Sequence, residues 1–455
     1  MAGIGIRLQS LATRGSILGA TTAYLSATII TAGPWLSGVA ALFILRVTTA
    51  PYLSEADHAL LFATIVAVFA ASLIVAGGPQ MLITRYIADR LYLNDIASIA
   101  PTGAGVLFLV IPFMFISTPF LILAPFHFQY RVLVSTLFVT LSMLWIIMLF
   151  ISAVYQYMYI VVIFLLCYSL GILASFILTP QYGLLGSLGG FTAGQLLCLS
   201  LLIMLIYLEF PSSKGVSFAY LGYLRKYWNL LIIGMLYAIS VWVDSFLFWI
   251  SSHGLVIAHF YHLFPPYDTA KFIAALSTVP AVVIFFVHLE TNFDYHYQSF
   301  YRSIQNKKTL SDLVRAREGM REAIYKGLRL LLTVQGLFTI FLCLVARDIA
   351  AFFSLASEWI MLLRMSIFAG TCQFVVFITM LLLLYIDQRR TALVLIGLLV
   401  LCNMLLTLLT LYLGPAFYGV GNLIASSVVA VVGLFLLNNR LKHLERLTFM
   451  NQPMM

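Results

Sequence analysis

The chain has 455 residues, of which 62% are hydrophobic and only 9% charged, and its mean hydropathy is +1.04. Soluble domains carry roughly 25% charged residues, so this chain lacks the charge to cover a water-facing surface, and lipid must be the solvent for much of it. The net charge of +9 does not point to nucleic acid, because the basic residues sit in short segments between long apolar runs.

Met1–Arg14 carries Arg7 and Arg14 ahead of an apolar run too long for the h-region of a cleavable signal, so that run is predicted to remain as a span. About 20 apolar residues are needed to cross a hydrocarbon core of ~30 Å. Reading for such runs predicts an all-α polytopic membrane protein of about twelve spans, near 17–45, 58–84, 102–124, 132–153, 159–179, 184–208, 228–250, 269–289, 327–346, 357–386, 391–413 and 417–438. Lysine and arginine in the loops set the direction. With the N-terminus inside, 20 of the 25 fall inside, Arg46, Arg131, Lys271 and Arg347 fall outside, and Arg364 lies within a span. That bias predicts that both termini are cytoplasmic.

The first span places Tyr24, Thr28, Thr31 and Trp35 on one helical face beside Gly33-Pro34, where a kink is expected. The face reads as the wall of a polar cavity, or as helix packing through hydroxyl residues. At the end of the second span, Arg85, Asp89 and Tyr92 alternate charge with aromatic rings. Around Glu290, at the end of the eighth, the segment His288–Tyr297 does the same. These are interface anchors or a sugar-binding vestibule, since carboxylates accept sugar hydroxyls while rings stack on pyranose faces.

The seventh span carries Tyr237, Ser240 and Asp244 on one face. An ionisable residue at mid-span costs at least roughly 2.5–3.5 kcal/mol, so Asp244 is expected to face a cavity or a partner. Arg364 in the tenth span is the other deep charge. It either snorkels to the interface or pairs with Asp244.

The longest soluble piece is 290–326. Thr309 with Asp312 has the spacing of a helix start, and the segment is predicted to form a basic amphipathic helix on the inner leaflet. Its Lys307, Lys308, Arg315, Arg317 and Arg321 anchor it to anionic lipid or dock a cytoplasmic partner.

Six spans, a basic loop near 212–227 and six more divide the chain into bundles at 1–210 and 211–455. Pro79 and Pro280 occupy matching positions. Parallel repeats of this kind place a substrate site between the halves.

The five cysteines lie inside apolar runs without metal-ligand spacing. There is no phosphate-binding glycine loop, no DxD and no HExxH. No catalytic residue, cofactor or metal is expected.

Several motifs together carry a resemblance. Met1-Ala2-Gly3-Ile4-Gly5, Gly33-Pro34-Trp35, Thr84-Arg85-Tyr86-Ile87-Ala88-Asp89-Arg90-Leu91-Tyr92, Leu289-Glu290-Thr291-Asn292-Phe293 and Asp387-Gln388-Arg389-Arg390-Thr391-Ala392 appear in order along the chain. The sequence resembles the PelG family, inner-membrane transporters of the Pel exopolysaccharide system. It departs from the family's pattern at Ile6-Arg7-Leu8, where an aromatic–acidic pair is expected.

The resemblance implies the multidrug/oligosaccharidyl-lipid/polysaccharide (MOP) exporter fold, similar to Wzx flippases, in a bacterial inner membrane and a biofilm system. It also implies a PelF-like cytoplasmic glycosyltransferase making an N-acetylhexosamine polymer, with PelD- and PelE-like membrane partners, the former sensing cyclic di-GMP. Translocation of that polysaccharide is the leading expectation. A flippase for a lipid-linked oligosaccharide and a non-transporting scaffold for the glycosyltransferase are the alternatives. A membrane glycosyltransferase, polymerase or ligase would need either a cytoplasmic nucleotide-sugar domain or a large outer loop with catalytic residues, and the sequence presents neither.

Overall fold

The computed structural model describes residues 33, 36–93, 95–151, 157–210 and 215–450. Helix dominates because the only way for a lipid-exposed backbone to satisfy its polar groups within one segment is the α-helical ladder. In order, the helices are α1 (Leu36–Thr49), α2 (Glu55–Tyr92), α3 (Ile99–Leu107), α4 (Val110–Leu123), α5 (Phe128–Ile151), α6 (Tyr157–Glu209), α7 (Tyr223–Ile250) and α8 (Pro265–Ser277). They continue with α9 (Val279–Ile284), α10 (Thr291–Gln305), α11 (Leu310–Leu344), α12 (Ala346–Phe352), α13 (Ile360–Tyr385), α14 (Arg389–Leu413), α15 (Val420–Lys442) and α16 (Leu444–Met450).

Ten stretches among the described residues are long and apolar enough to cross a membrane. One of them, within α6, holds two of the expected spans, 159–179 and 184–208. Its helix breaks at Gly183, whose φ of 55° suits a residue without a Cβ. The two arms fold back on one another so closely that a Cβ at Gly190 would lie 2.2 Å from the Ser175 nitrogen. Ser175 Oγ donates to the Ser187 carbonyl across the same contact at 2.9 Å. The first expected span, 17–45, lies largely outside the described residues, so its polar face of Tyr24, Thr28, Thr31 and Trp35 does too.

The chain forms two compact units. One comprises 33–242 with 252–263. Its core includes Leu61, Ile65, Tyr86, Leu137, Phe150 and Phe191, and α2 packs on α5, which packs on α6. Within this unit α2 crosses α7 backbone to backbone: a Cβ on Gly234 would meet the Gly77 carbonyl oxygen at 2.0 Å. A hairpin, β1 (Leu255–Ala258) against β2 (Tyr261–Leu263), pairs Leu255 with Leu263 and Val256 with His262 in antiparallel register. It occupies what the sequence presents as a plain loop.

The other unit comprises 243–251 and the chain from Phe264 onward. Its core includes Phe248, Phe293, Leu331, Ile367, Leu383 and Val429. Here α13 packs on α15 and α8, and α15 on α14. Between α9 and α10, Phe285–Glu290 forms a π-helical turn, a wider winding that often marks a functional position.

The expected amphipathic surface helix needs correction. Thr309 does cap a helix, accepting from the Asp312 amide at 3.4 Å. That helix does not stop before the following span; α11 is continuous for 35 residues. The single Gly327 is too weak a breaker to end it. Leu313, Ala316, Met320, Ala323 and Ile324 are buried, so the basic half continues the packed stripe of the apolar half.

Candidate functional site

Asp244 sits in the last third of α7 and is fully buried. Three groups from two other helices of the same unit close around it. From α8, Tyr267 OH donates to Oδ2 at 2.5 Å, and the Lys271 ammonium pairs with Oδ1. From α15, Asn422 Nδ2 donates to Oδ2 at 3.0 Å. Lys271 Nζ also reaches Ser245 Oγ at 3.2 Å, and Ser426 Oγ donates to Asn422 Oδ1 at 3.0 Å.

Aromatic packing fixes this arrangement. Phe248, one turn after Asp244, stacks on Tyr267 with centroids 4.0 Å apart. Tyr418 packs edge-on against the same Phe248 ring at 5.0 Å. The next acid, Asp268, accepts from Trp249 Nε1 at 2.9 Å and from the Phe264 amide at 3.1 Å. A carboxylate inside an apolar bundle is tolerated when its charge is matched and its lone pairs are filled. Both conditions hold here.

Lys271 is the partner of Asp244 that sequence reasoning did not identify. It was expected among the outer loop charges, but α8 begins at Pro265, and proline at the first turn of a helix is a starting signal. Six residues on, Lys271 is already inside the helix and beside Asp244. Arg364 is not the partner of Asp244. Its Nε donates to the Cys343 carbonyl at 3.0 Å, and it is exposed. It thus satisfies a carbonyl in the last turn of α11, as basic side chains do at helix C-termini. Tyr237 and Ser240 lie on α7 about two turns and one turn before Asp244; Ser240 Oγ donates to the Tyr237 carbonyl at 2.7 Å.

A second cluster forms in the other unit where α2 ends and α7 begins. Arg85 pairs with Asp89 at 3.2 Å, and the side chains keep 36% and 28% of their exposure. Tyr223 OH donates to Asp89 Oδ2 at 3.0 Å. The Arg85 guanidinium lies 5.5 Å from the Tyr227 ring centroid, and Arg90 lies 5.0 Å from that of Tyr86. Tyr223 stacks on Tyr227 at 5.2 Å and meets Tyr86 edge-on at 5.1 Å.

The structure therefore brings Arg85 and Asp89 together and adds Tyr223 and Tyr227, which only the fold reveals. Tyr92 is 71% exposed at the end of α2. The side chain of Glu290 is outside the described set. Its neighbours Phe293 and Tyr297 pack on Tyr385 of α13, with centroids at 5.5 and 6.1 Å.

The five basic docking candidates divide. Lys307, Lys308 and Arg315 are exposed. Arg317 ties α11 to α16, donating to Glu445 and to the Lys442 carbonyl, both at 3.0 Å. Arg321 lies 3.8 Å from Glu318 and 5.4 Å from the centroid of the Tyr325 ring.

The family model for the PelG exopolysaccharide exporter (EPS-E) matches residues 1–449. The chain belongs to the PelG family. A comparison with curated proteins finds no match.

Among solved structures, a multidrug-resistance MATE transporter of the MOP superfamily in its outward-facing conformation is 15% identical. It covers 97% of this chain and 99% of its own, with a TM-score of 0.67. A MOP-superfamily transporter from Pyrococcus furiosus Vc1, described with a binding pocket of reversed polarity, is 13% identical over 97% and 98%, at 0.65. A MATE transporter in its straight conformation is 14% identical over 97% and 99%, at 0.63. At such identities the likeness shows the fold alone, and that fold is the MOP transporter fold. This PelG-family chain is thus a multi-pass membrane protein of an exporter family, not of an enzyme class.

Proposed function

We propose that the chain moves a Pel-like, N-acetylhexosamine-rich exopolysaccharide across the bacterial inner membrane, with both termini in the cytoplasm. It works with a PelF-like cytoplasmic glycosyltransferase and with PelD- and PelE-like membrane partners. The observation that carries this reading is the PelG exporter match along 1–449.

The residues take different roles in it. The partly exposed Arg85–Asp89 pair, with Tyr223 and Tyr227, offers what a sugar needs: charged groups for hydroxyls beside ring faces. Tyr92, exposed at the end of α2, extends that surface. The Asp244–Lys271 pair, with its carboxylate fully buried, acts as a latch holding α7, α8 and α15, while Tyr237 and Ser240 supply polar groups earlier on α7. Exposed Lys307, Lys308 and Arg315 form the docking edge.

The test is a strain that lacks this chain but keeps the glycosyltransferase and its membrane partners. Export predicts polymer retained in the cytoplasm or on the inner face of the membrane and none secreted. Full secretion without the chain would refute the reading. Complete loss of synthesis, with the glycosyltransferase no longer at the membrane, would make the chain a scaffold instead.

A further inference from the structure

The basic half of α11 and the last two turns of α15 enclose a cavity of about 490 Å³ within a single unit. One edge is a ridge of α11 at four-residue spacing: Arg321, Tyr325, Arg329 and Thr333. Residues four apart lie on one face of a helix. Leu328 and Leu332 of α11 and Leu434 and Leu437 of α15 also line the cavity. Tyr325 OH donates to Asn438 Oδ1 at 2.8 Å and so bridges the two helices.

The depth of this cavity is legible from both helices. After Arg329, α11 runs from Leu330 to Leu344 without a charge, and α15 carries none from Val420 until Arg440. The cavity therefore straddles the boundary between the charged end of the bundle and its apolar body. Its apolar part is open: Leu332 keeps 43% of its exposure. Its basic edge is only weakly compensated. Arg321 has Glu318 at 3.8 Å, and that glutamate is half exposed. No ion pair among the described residues holds Arg329.

We propose that this groove binds an anionic phospholipid of the surrounding bilayer, with its phosphate at Arg321 and Arg329 and one acyl chain along Leu328, Leu332, Leu434 and Leu437. Charge complementarity selects this occupant. Guanidinium groups match phosphate oxygens in geometry and charge, and a leucine-lined slot at membrane depth is filled by lipid rather than water. A soluble anion would leave the apolar part of the cavity unfilled. A neutral lipid would leave the arginines without a counter-charge.

Native mass spectrometry of the purified chain, offered equal amounts of phosphatidylglycerol and phosphatidylcholine, tests the proposal without reading export. The wild type is expected to retain phosphatidylglycerol preferentially. Each arginine contributes roughly fivefold at an anionic surface, so removing the pair lowers the preference by about 25-fold. Arg321→Ala with Arg329→Ala lowers it by that factor, Arg321→Lys with Arg329→Lys keeps most of it, and Leu434→Trp displaces both lipids. Arg315→Ala, exposed on the same helix outside the groove, leaves it intact. Equal retention of the two lipids by the wild type overturns the proposal. So does an unchanged preference in the double-alanine variant, or an equal loss in Arg315→Ala, which would assign the effect to diffuse surface charge.

Discussion

Removing Lys271 is the sharpest test of the buried cluster. In Lys271→Met the side-chain volume is roughly kept, while fully buried Asp244 loses the cation paired with it and, among the described residues, keeps Tyr267 and Asn422 as donors. Breaking a buried pair from one side typically costs 3–5 kcal/mol, because the remaining charge is left uncompensated. Lys271 retains 19% of its side-chain exposure, so about 3 kcal/mol, the lower end, applies. Removing both charges is different. In Asp244→Asn with Lys271→Met, the amide oxygen still accepts from Tyr267, no charge is stranded, and stability is expected to return to within ~1 kcal/mol of wild type. With Asp244→Asn alone costing up to ~1 kcal/mol, since the part-exposed Lys271 ammonium can reach solvent, the double-mutant cycle gives a coupling of about 2–3 kcal/mol. The assay is unfolding of the purified protein in a fixed detergent micelle, titrated with a denaturing detergent. A loss below about 1 kcal/mol in Lys271→Met, or a double variant no more stable than the single, would falsify the pairing argument.

The other predictions test separate parts of the molecule. Gly234→Ala, whose Cβ would lie 2.0 Å from the Gly77 carbonyl, should cost at least ~1–3 kcal/mol by forcing α2 and α7 apart; Gly336→Ala, with nothing within 4 Å, should be neutral or stabilise by up to ~1 kcal/mol, and equal effects in the same unfolding assay would refute the close crossing. Asp89→Asn should lower secreted polymer per unit of inserted protein by roughly tenfold, the effect of about 1.4 kcal/mol of lost contact, and normal secretion would remove this cluster from the glycan path. Single cysteines at His253 and Gly414 should label from outside spheroplasts, and one at Asn306 only after permeabilisation; the reverse pattern would invert the proposed topology. Lys307→Glu, Lys308→Glu and Arg315→Glu together should reduce co-purification of the glycosyltransferase with little loss of stability, whereas Arg317→Glu, by breaking its contact with Glu445, should lower stability itself.

What the sequence made legible followed from strong, local physics. Long apolar runs identify spans because lipid admits few other structures, and Thr309 with Asp312 marks the start of α11 because a hydroxyl three residues before an amide fits the first helical turn. Asp244 stood out because no charge sits at mid-span without a partner. The partner itself was hidden. Lys271 comes 27 positions later, beyond a hairpin whose short strands carry no strong alternating pattern, and Asn422 comes 178 positions later. Pairing at that separation is fixed by packing, which a one-dimensional reading does not contain. The continuous α11 was missed for another reason. Charge composition changes near Arg329, and a change in solvent was read as a change in structure, although the buried stripe from Leu313 to Leu331 runs straight through it.

In the proposed export reading, the two charged clusters differ in what a passing glycan would have to displace. At Asp89 the carboxylate and its arginine are already partly in water, so a sugar hydroxyl exchanges for solvent and an exposed ion pair worth little by itself. First contact there carries a small energetic cost. At Asp244 every contact is internal, and opening it separates α7 from Tyr267 and Lys271 on α8 and from Asn422 on α15 at once. No single hydroxyl compensates for that, because removing one partner of a buried pair exposes the full desolvation penalty of the other. In the export reading, the Asp244 cluster therefore opens only when the whole set of partners is exchanged together, as a change of conformation does, and not through step-by-step competition by sugar. The Asp244→Asn, Lys271→Met variant separates these cases: with the charges gone but packing kept, a latch loses its hold and alters the rate of export, whereas a pair serving stability alone leaves that rate unchanged.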